Sequence, residues 1–367
     1  MENTLKIVII NTHPQDSLGG SEIQCDIIAN ELTKLGHEPV YIALDGKQKI
    51  FEADYKVIPV ERNPRKVSEV VISEAPDVVY WRDNKDRLKR TVSKISKASI
   101  PVIFAVSHIN DTLKWRKFRR RSKGKSYIKH FLTNVYMVLN RRYNHAGFKY
   151  ASGVVVNNHD HLNRLNIRPQ TYVANSNTSD SIKFNWKRPY ICWVANLKTQ
   201  KRPELCIPLA KRLIPLDVDL IMVGRNNKDY SYLSDKNQVP ENLHYIGPKS
   251  VLEVNGILAN SICLVHTCKP EGFPGNFIQA WLQGKPTVSL EFDPGGLIES
   301  KKLGFVSGNS MEQFIDDTKK LIENVELRRQ LGVNARKYAM KHHHPETNVK
   351  KLLSFMFEVI DSNHELG

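Results

Sequence analysis

"HTCKPEGFPGNFIQAWLQGKPTVS", His266 to Ser289, is the stretch on which the reading of the chain turns. It starts at the end of an apolar run, "SICLVH", and bends through Glu271, Gly272, Phe273, Pro274 and Gly275. It then settles into a helical pattern that stops at Gly284, and a Val-containing run, "PTVSL", follows at once. Strand, bent loop, helix and strand form one unit of a parallel sheet with its crossover helix.

The same unit recurs on both sides of this stretch. Upstream, "LKIVII", "EPVYIA", "DVVYW", "PVIFAV" and "SGVVVN" read as strands separated by helical patterns. One of these patterns, "SEIQCDIIANELTKLG", places Ile23, Ile27, Ile28 and Leu32 on one face and stops at Gly36. Nearer the stretch, "PYICWVA", "VDLIMVG" and "LHYIG" continue the series, and "GFVS" follows it. A helical tail runs from Met311 to about Asp361. The polar segment from Ala174 to Pro189 has no period and divides the two series. The expectation is α/β: two doubly wound Rossmann-like domains facing a central cleft. The boundaries are 1–175, a linker 176–189, 190–345, and a last helix 346–367 packing back on the first domain. In such sheets ligands sit beyond the carboxyl ends of the strands.

Composition narrows the class. A chain of 367 residues is long enough for two cores. Its most apolar run away from the strands, "FLTNVYMVLN", is too short to span a bilayer. "MENTLKIVIINTH" lacks the basic start of a secretory signal. The five cysteines are scattered without a Cys-x-x-Cys pair, as expected of reduced thiols in a cytosol and not of a zinc site. The net charge of +16 calls for an acidic partner: nucleic acid, anionic lipid or a phosphorylated substrate.

Several polar groups fall at strand ends. Gly275 and Asn276, opening a helix, offer unpaired N–H groups to an anion. A carboxylate beside them, Glu271, suits neutral hydroxyls such as those of a sugar, and Gln279, one turn deeper, suits a ribose diol. On spacing alone, a chance loop Glu and an amphipathic helix Gln explain the same residues equally well. After "WVAN" come Lys198, Lys201 and Arg202, either a solvated basic loop or a counter-charge for a diphosphate. Gly19 and Gly20 lie between the first strand and first helix, where a turn or a close approach to phosphate would use them. In "PVIFAVSHINDT" a strand ends at His108. Eight of the twelve residues from Lys114 to Lys125 are basic, and the region through Tyr150 holds no Asp or Glu among interleaved aromatics. Anionic lipid, nucleic acid or plain solvent would each suit it. "HHHP", His342 to Pro345, reads as a polar helix junction.

"PEGFPGNFIQAWLQGKP" resembles the nucleotide-sugar loop of the family 4 glycosyltransferases, retaining enzymes of GT-B fold, and its Gly-Phe-Pro and Gly-Lys-Pro match bacterial members that build polysaccharides and glycolipids. The resemblance implies transfer of a sugar from a nucleotide diphosphate to a glycan or lipid-linked acceptor. It makes Glu271 the donor-sugar contact and Gln279, standing where the family has Glu, the ribose contact. Gly272, Phe273, Gly275 and Asn276 belong to the same loop. Lys201 matches the family's diphosphate-binding Lys, Asn196 replaces its Arg, and Lys198 is the candidate substitute. Gly19 and Gly20 match its glycine pair, and His108 a His near the reacting sugar. No metal and no cofactor beyond the substrate is implied. Given this match, membrane docking leads for the basic segment, through Trp115, Arg116, Lys117, Phe118, Arg119, Arg120 and Arg121. The protein is then expected in the cytoplasm, peripherally bound to the inner face of the membrane, with no nucleic-acid partner. A nucleotide-sugar epimerase or a degenerate binding module on the same fold is the alternative.

Overall fold

A computed structural model of the chain describes residues 4–17, 19–48, 50–107, 109–115, 126–226, 228–269 and 273–364. Two compact units emerge, one of residues 1–175 with 345–367, the other of 176–344.

The first unit contains β1 (Lys6–Asn11), α1 (Gly20–Lys34), β2 (Glu38–Leu44), β3 (Lys56–Val60), α2 (Pro64–Glu74) and β4 (Val78–Trp81). It continues with α3 (Leu88–Lys97), β5 (Val102–Val106), α4 (Ile109–Thr112), α5 (Tyr127–His145), β6 (Gly153–Val156) and β7 (Gln170–Tyr172). The second unit contains β8 (Tyr190–Val194), α6 (Cys206–Leu213), β9 (Asp219–Val223), β10 (Leu243–Tyr245), α7 (Val251–Asn260) and β11 (Leu264–His266). There follow α8 (Gly275–Leu282), β12 (Thr287–Ser289), α9 (Leu297–Ser300), β13 (Gly304–Val306), α10 (Met311–Glu323) and α11 (Val325–His342). The last helix, α12 (Pro345–His364), returns to the first unit.

Each unit is built on one parallel sheet, ordered β3-β2-β1-β4-β5-β6-β7 in the first and β10-β9-β8-β11-β12-β13 in the second. Strand alternation supplies two cores per sheet. In β1, Ile7 and Ile9 face one apolar layer with Cys25, Ile28, Ala29 and Leu32 of α1. Val8 and Ile10 face the other, with Val67 and Val71 of α2 and Val92 and Ile95 of α3. In β8, Ile191 and Trp193 lie under α6 and α10, while Tyr190 and Cys192 lie under α7, α8 and α11. The four α1 residues sit at i, i+3, i+4 and i+7, the stripe of a half-buried helix. Val349, Leu352, Met356 and Val359 of α12 complete the α1 layer. All five cysteines are buried free thiols.

Two strands escape the sequence pattern, β3 and β7, and both are sheet edges. β3 contains Pro59 and β7 is half-exposed throughout, so neither shows the apolar run of a central strand.

The segment 176–189 differs from a linker. It is strapped along the second unit by side-chain amides. Asn255 Nδ2 donates to the carbonyls of Thr178 (3.0 Å) and Asp180 (2.7 Å), and Gln283 Nε2 donates to that of Ser179 (2.9 Å). Asn260 Nδ2 donates to Phe184 O at 3.1 Å, and Trp186 Nε1 to Asp219 Oδ2 at 2.7 Å. The strap lies so close to α7 that a Cβ on Gly256 would stand 1.7 Å from the Ile182 carbonyl oxygen.

Helix α5 is inverted. Its buried residues are Asn134 and Asn144, while Ile128, Leu132, Tyr136 and Leu139 face outward. Its polar side is what anchors it: Arg141 donates from Nε to Leu113 O at 3.2 Å and from its guanidinium to Asn110 O. Lys85, buried beside it, donates to Asp111 O at 3.1 Å and to Leu113 O, and its ammonium is lowered to about 8 by burial and by Arg141.

The strap makes a stability prediction. Gly256→Ala forces backbone apart from backbone, which no side-chain rotation relieves, and is expected to destabilise by about 1–3 kcal/mol. Thermal unfolding of the variant checks this, and an unchanged midpoint contradicts the close packing of the strap.

Candidate active site

In the second sheet the order runs β8, β9, β10 in one direction and then resumes on the other side of β8 with β11, β12, β13. The reversal therefore falls between β8 and β11, which pair at Leu264 and Cys192. Loops leaving the carboxyl ends of two such strands diverge and leave a crevice, the usual ligand position in an open α/β sheet. The loop after β8 carries Asn196, Lys198 and Lys201; that after β11 leads to Phe273, Gly275 and Asn276 at the start of α8.

The two loops are laced together below the crevice. Thr267, fully buried just past β11, accepts from Trp193 Nε1 at 2.9 Å. Its hydroxyl lies 2.7 Å from Lys201 O and 3.1 Å from Arg202 O. Arg202 occupies the left-handed region at φ +48°. From there its guanidinium donates to Thr267 O at 2.5 Å, to Glu291 Oε2 at 2.9 Å and to Asn309 Oδ1 at 3.1 Å. Lys269 N donates to Gln200 O at 3.1 Å. Arg202 is thus structural, a clamp that sets the place of Lys201 beside it.

Asn276 Nδ2 donates to Val194 O at 2.7 Å, pinning the start of α8 over the end of β8, while its Oδ1 is buried with no partner among the described residues. Pro274 caps α8 without a side-chain bond, leaving the first-turn N–H groups of Gly275 and Asn276 to outside acceptors. Asn196 Oδ1 accepts from the Arg225 backbone N–H at 3.1 Å, which joins the β8 and β9 loops. Gln279 is buried in α8 and donates from Nε2 to Asn255 Oδ1 at 3.0 Å. Its amide nitrogen therefore supports the strap, a role not visible in the sequence. His343 of the "HHHP" junction packs against Phe273, 5.0 Å between ring centres, and against Tyr338 and Trp281.

In the first unit the strand order reverses between β1 and β4. Gly19 ends the loop after β1 and Gly20 opens α1, but their surroundings differ. A Cβ on Gly19 would come within 2.3 Å of Glu22 Oε2, so the room there is taken by this chain's own carboxylate, whose pKa burial raises. Gly20 would meet nothing within 4 Å. Sequence reading passed over Arg82, directly after β4. It is buried, donates to Tyr80 Oη at 3.0 Å and to Asn175 Oδ1 at 2.7 Å, and keeps its Nε without a partner among the described residues. A cation immediately after "VVYW" was the available signal. Glu271, Gly272, His108, and Arg116, Lys117, Phe118, Arg119, Arg120 and Arg121 lie outside the described residues; Trp115 is exposed.

Two doubly wound parallel sheets, with polar loops gathered at each strand reversal, place the chain in the GT-B fold of glycosyltransferases. Residues 175–338 match the model of the family "Glycosyl transferases group 1". The match lies almost wholly in the second unit and supports a glycosyltransferase activity. Among solved structures the chain resembles Anabaena Alr3699/HepE in complex with UDP, at 14% identity and a TM-score of 0.71, over 97% of this chain and 100% of that one. It also resembles sucrose-phosphate synthase from Thermosynechococcus elongatus, at 12% identity and a TM-score of 0.73, over 98% and 100%. A third is WaaG, a glycosyltransferase involved in lipopolysaccharide biosynthesis, at 14% and 0.64, over 94% and 98%. At these identities the likeness is one of fold. No curated protein matches the sequence.

Thr267→Val keeps the shape and removes the shared hydroxyl. It leaves the buried Trp193 N–H unsatisfied, an expected loss of about 1–3 kcal/mol, and loosens the Lys201 loop. Calorimetric unfolding checks this: the midpoint should fall, and an unchanged midpoint contradicts the lacing.

Proposed function

We propose that the protein is a retaining glycosyltransferase that moves a sugar from a nucleotide-diphosphate donor to a glycan or lipid-linked acceptor in cell-surface polysaccharide synthesis. The observation that carries this reading is the meeting, at the β8/β11 reversal, of the basic loop around Lys198 and Lys201 with the uncapped start of α8, both inside the group 1 region. Structures of the Anabaena neighbour with UDP, and with UDP and glucose, give the donor class a precedent on this fold, and WaaG gives one for lipopolysaccharide.

In this reading the donor diphosphate lies over α8, accepting from the Gly275 and Asn276 N–H groups, with Lys201 and Lys198 supplying positive charge. As the bond from the anomeric carbon to the diphosphate oxygen breaks, the sugar gains oxocarbenium character and the diphosphate gains charge. The preset N–H groups and Lys201 stabilise that charge in the transition state. Glu271, one residue before Gly272 in the same loop, accepts from the sugar hydroxyls. Gln279 retains an amide oxygen for the ribose while its nitrogen holds Asn255. His108, two residues after β5 in the sequence, orients the reacting sugar. The acceptor is taken by the first unit, at the inner face of the membrane.

Thermal unfolding with nucleoside diphosphates tests the donor site: at one hundred times its dissociation constant the right one should add about 2.7 kcal/mol. Glu271→Ala should then lower turnover by about two or more orders of magnitude with nucleotide affinity little changed, as for a contact made chiefly in the transition state. Equal losses in both, or full activity, contradict the role given to Glu271.

A further inference from the structure

A helix that packs on a soluble core turns its apolar stripe inward. α5 does the opposite. Ile128, Leu132, Tyr136 and Leu139 are spaced four, four and three residues apart, so they line one face, and they are 74%, 59%, 68% and 57% exposed. On the other side Asn134 and Asn144 are 5% and 2% exposed, and Arg141 makes the bonds to the Leu113 and Asn110 carbonyls that hold the helix down. The outward stripe is therefore not the leftover of poor packing, because the helix is fixed by its polar face.

The sequence on either side of the stripe carries charge of one sign. From Lys114 to Tyr150 the sequence has twelve Lys and Arg and no Asp or Glu. At the carboxyl end of α5, Lys89 Nζ lies 4.2 Å from the centre of the Tyr143 ring, with the Arg90 guanidinium 5.7 Å away. Arg142 lies over the exposed Trp115 ring at 4.9 Å. Cations beside aromatic rings along an apolar helix face match the interface of an anionic bilayer, where apolar groups enter the acyl boundary and cations meet headgroup phosphates. A second copy of the chain would bring an identical basic rim against this one, which disfavours self-association.

We propose that α5 is the membrane-docking element of this protein, lying in the plane of an anionic bilayer with Ile128, Leu132, Tyr136 and Leu139 inserted and Trp115 at headgroup depth. This deepens the acceptor reading above, since it brings the first unit to a lipid-linked substrate, and it adds the four α5 residues to the docking surface expected around Trp115. Binding of vesicles does not involve the nucleotide, so its outcome is separable from that of the donor site.

The test is co-sedimentation of the full chain with phosphatidylcholine vesicles and with vesicles that also contain phosphatidylglycerol. The expected result is binding to the anionic vesicles that weakens between about 0.1 M and 1 M salt, as the Debye length falls from about 10 Å to 3 Å. Leu132→Ser with Leu139→Ser should lower the partition coefficient by about tenfold or more, while UDP stabilisation stays as in the parent. Both positions are exposed, so folding is not at stake. Trp115 is the exposed tryptophan among five, so its emission should move to the blue on anionic vesicles, and Trp115→Phe should remove that shift. Equal binding to neutral vesicles, undiminished binding of the double variant, displacement of vesicles by RNA at equal salt, or a dimer that the double variant converts to monomer would each overturn the proposal.

Discussion

The hydroxyl of Thr267 sits where the second unit's two arms of sheet part company. It takes a hydrogen bond from the Trp193 indole and lies against the Lys201 and Arg202 carbonyls. In a fully buried place each of these groups is costly to leave unmatched, so the three residues fix one another. The Lys201 loop is thereby held against the β11 loop, and Arg202, in a left-handed conformation, adds bonds to Thr267 O, Glu291 and Asn309. Asn276 then sets α8 over the end of β8. This lacing brings the basic loop and the start of α8 to the same strand reversal, and on the proposed reading their charge and dipole act together on a departing diphosphate.

The first unit repeats the topology with different contents. Its reversal between β1 and β4 has an arginine, Arg82, buried beneath it and bonded to Asn175, the last residue of that unit's first segment. Its glycine pair is half-filled by Glu22. On the same unit, α5 presents apolar residues to the exterior and polar residues to its support.

The central strands and their helices were legible because a strand buried on both faces reads as a continuous Val- and Ile-rich run. β3 and β7 were not, because an edge strand needs neither; Pro59 is tolerated in β3 for that reason. The place of Lys201, Gly275 and Asn276 at strand ends followed from strand–loop–helix spacing. Three features lay beyond any sequence pattern. The strap 176–189 is held through amides of Asn255, Asn260 and Gln283, residues distant in sequence. The nitrogen of Gln279 is committed to Asn255. And the outward turn of α5 is invisible to periodicity, which marks an apolar stripe without saying which way it faces.

Hydrogen exchange of the backbone amides with and without the nucleoside diphosphate that most raises the unfolding midpoint tests most directly whether the β8/β11 reversal is where the donor binds. Direct nucleotide contact should slow exchange at residues 196–202 and 275–277, with the α10 helix and the β13 edge unchanged. Protection confined to other loops of the second unit, or none when that nucleotide is saturating, would contradict the assignment of the site.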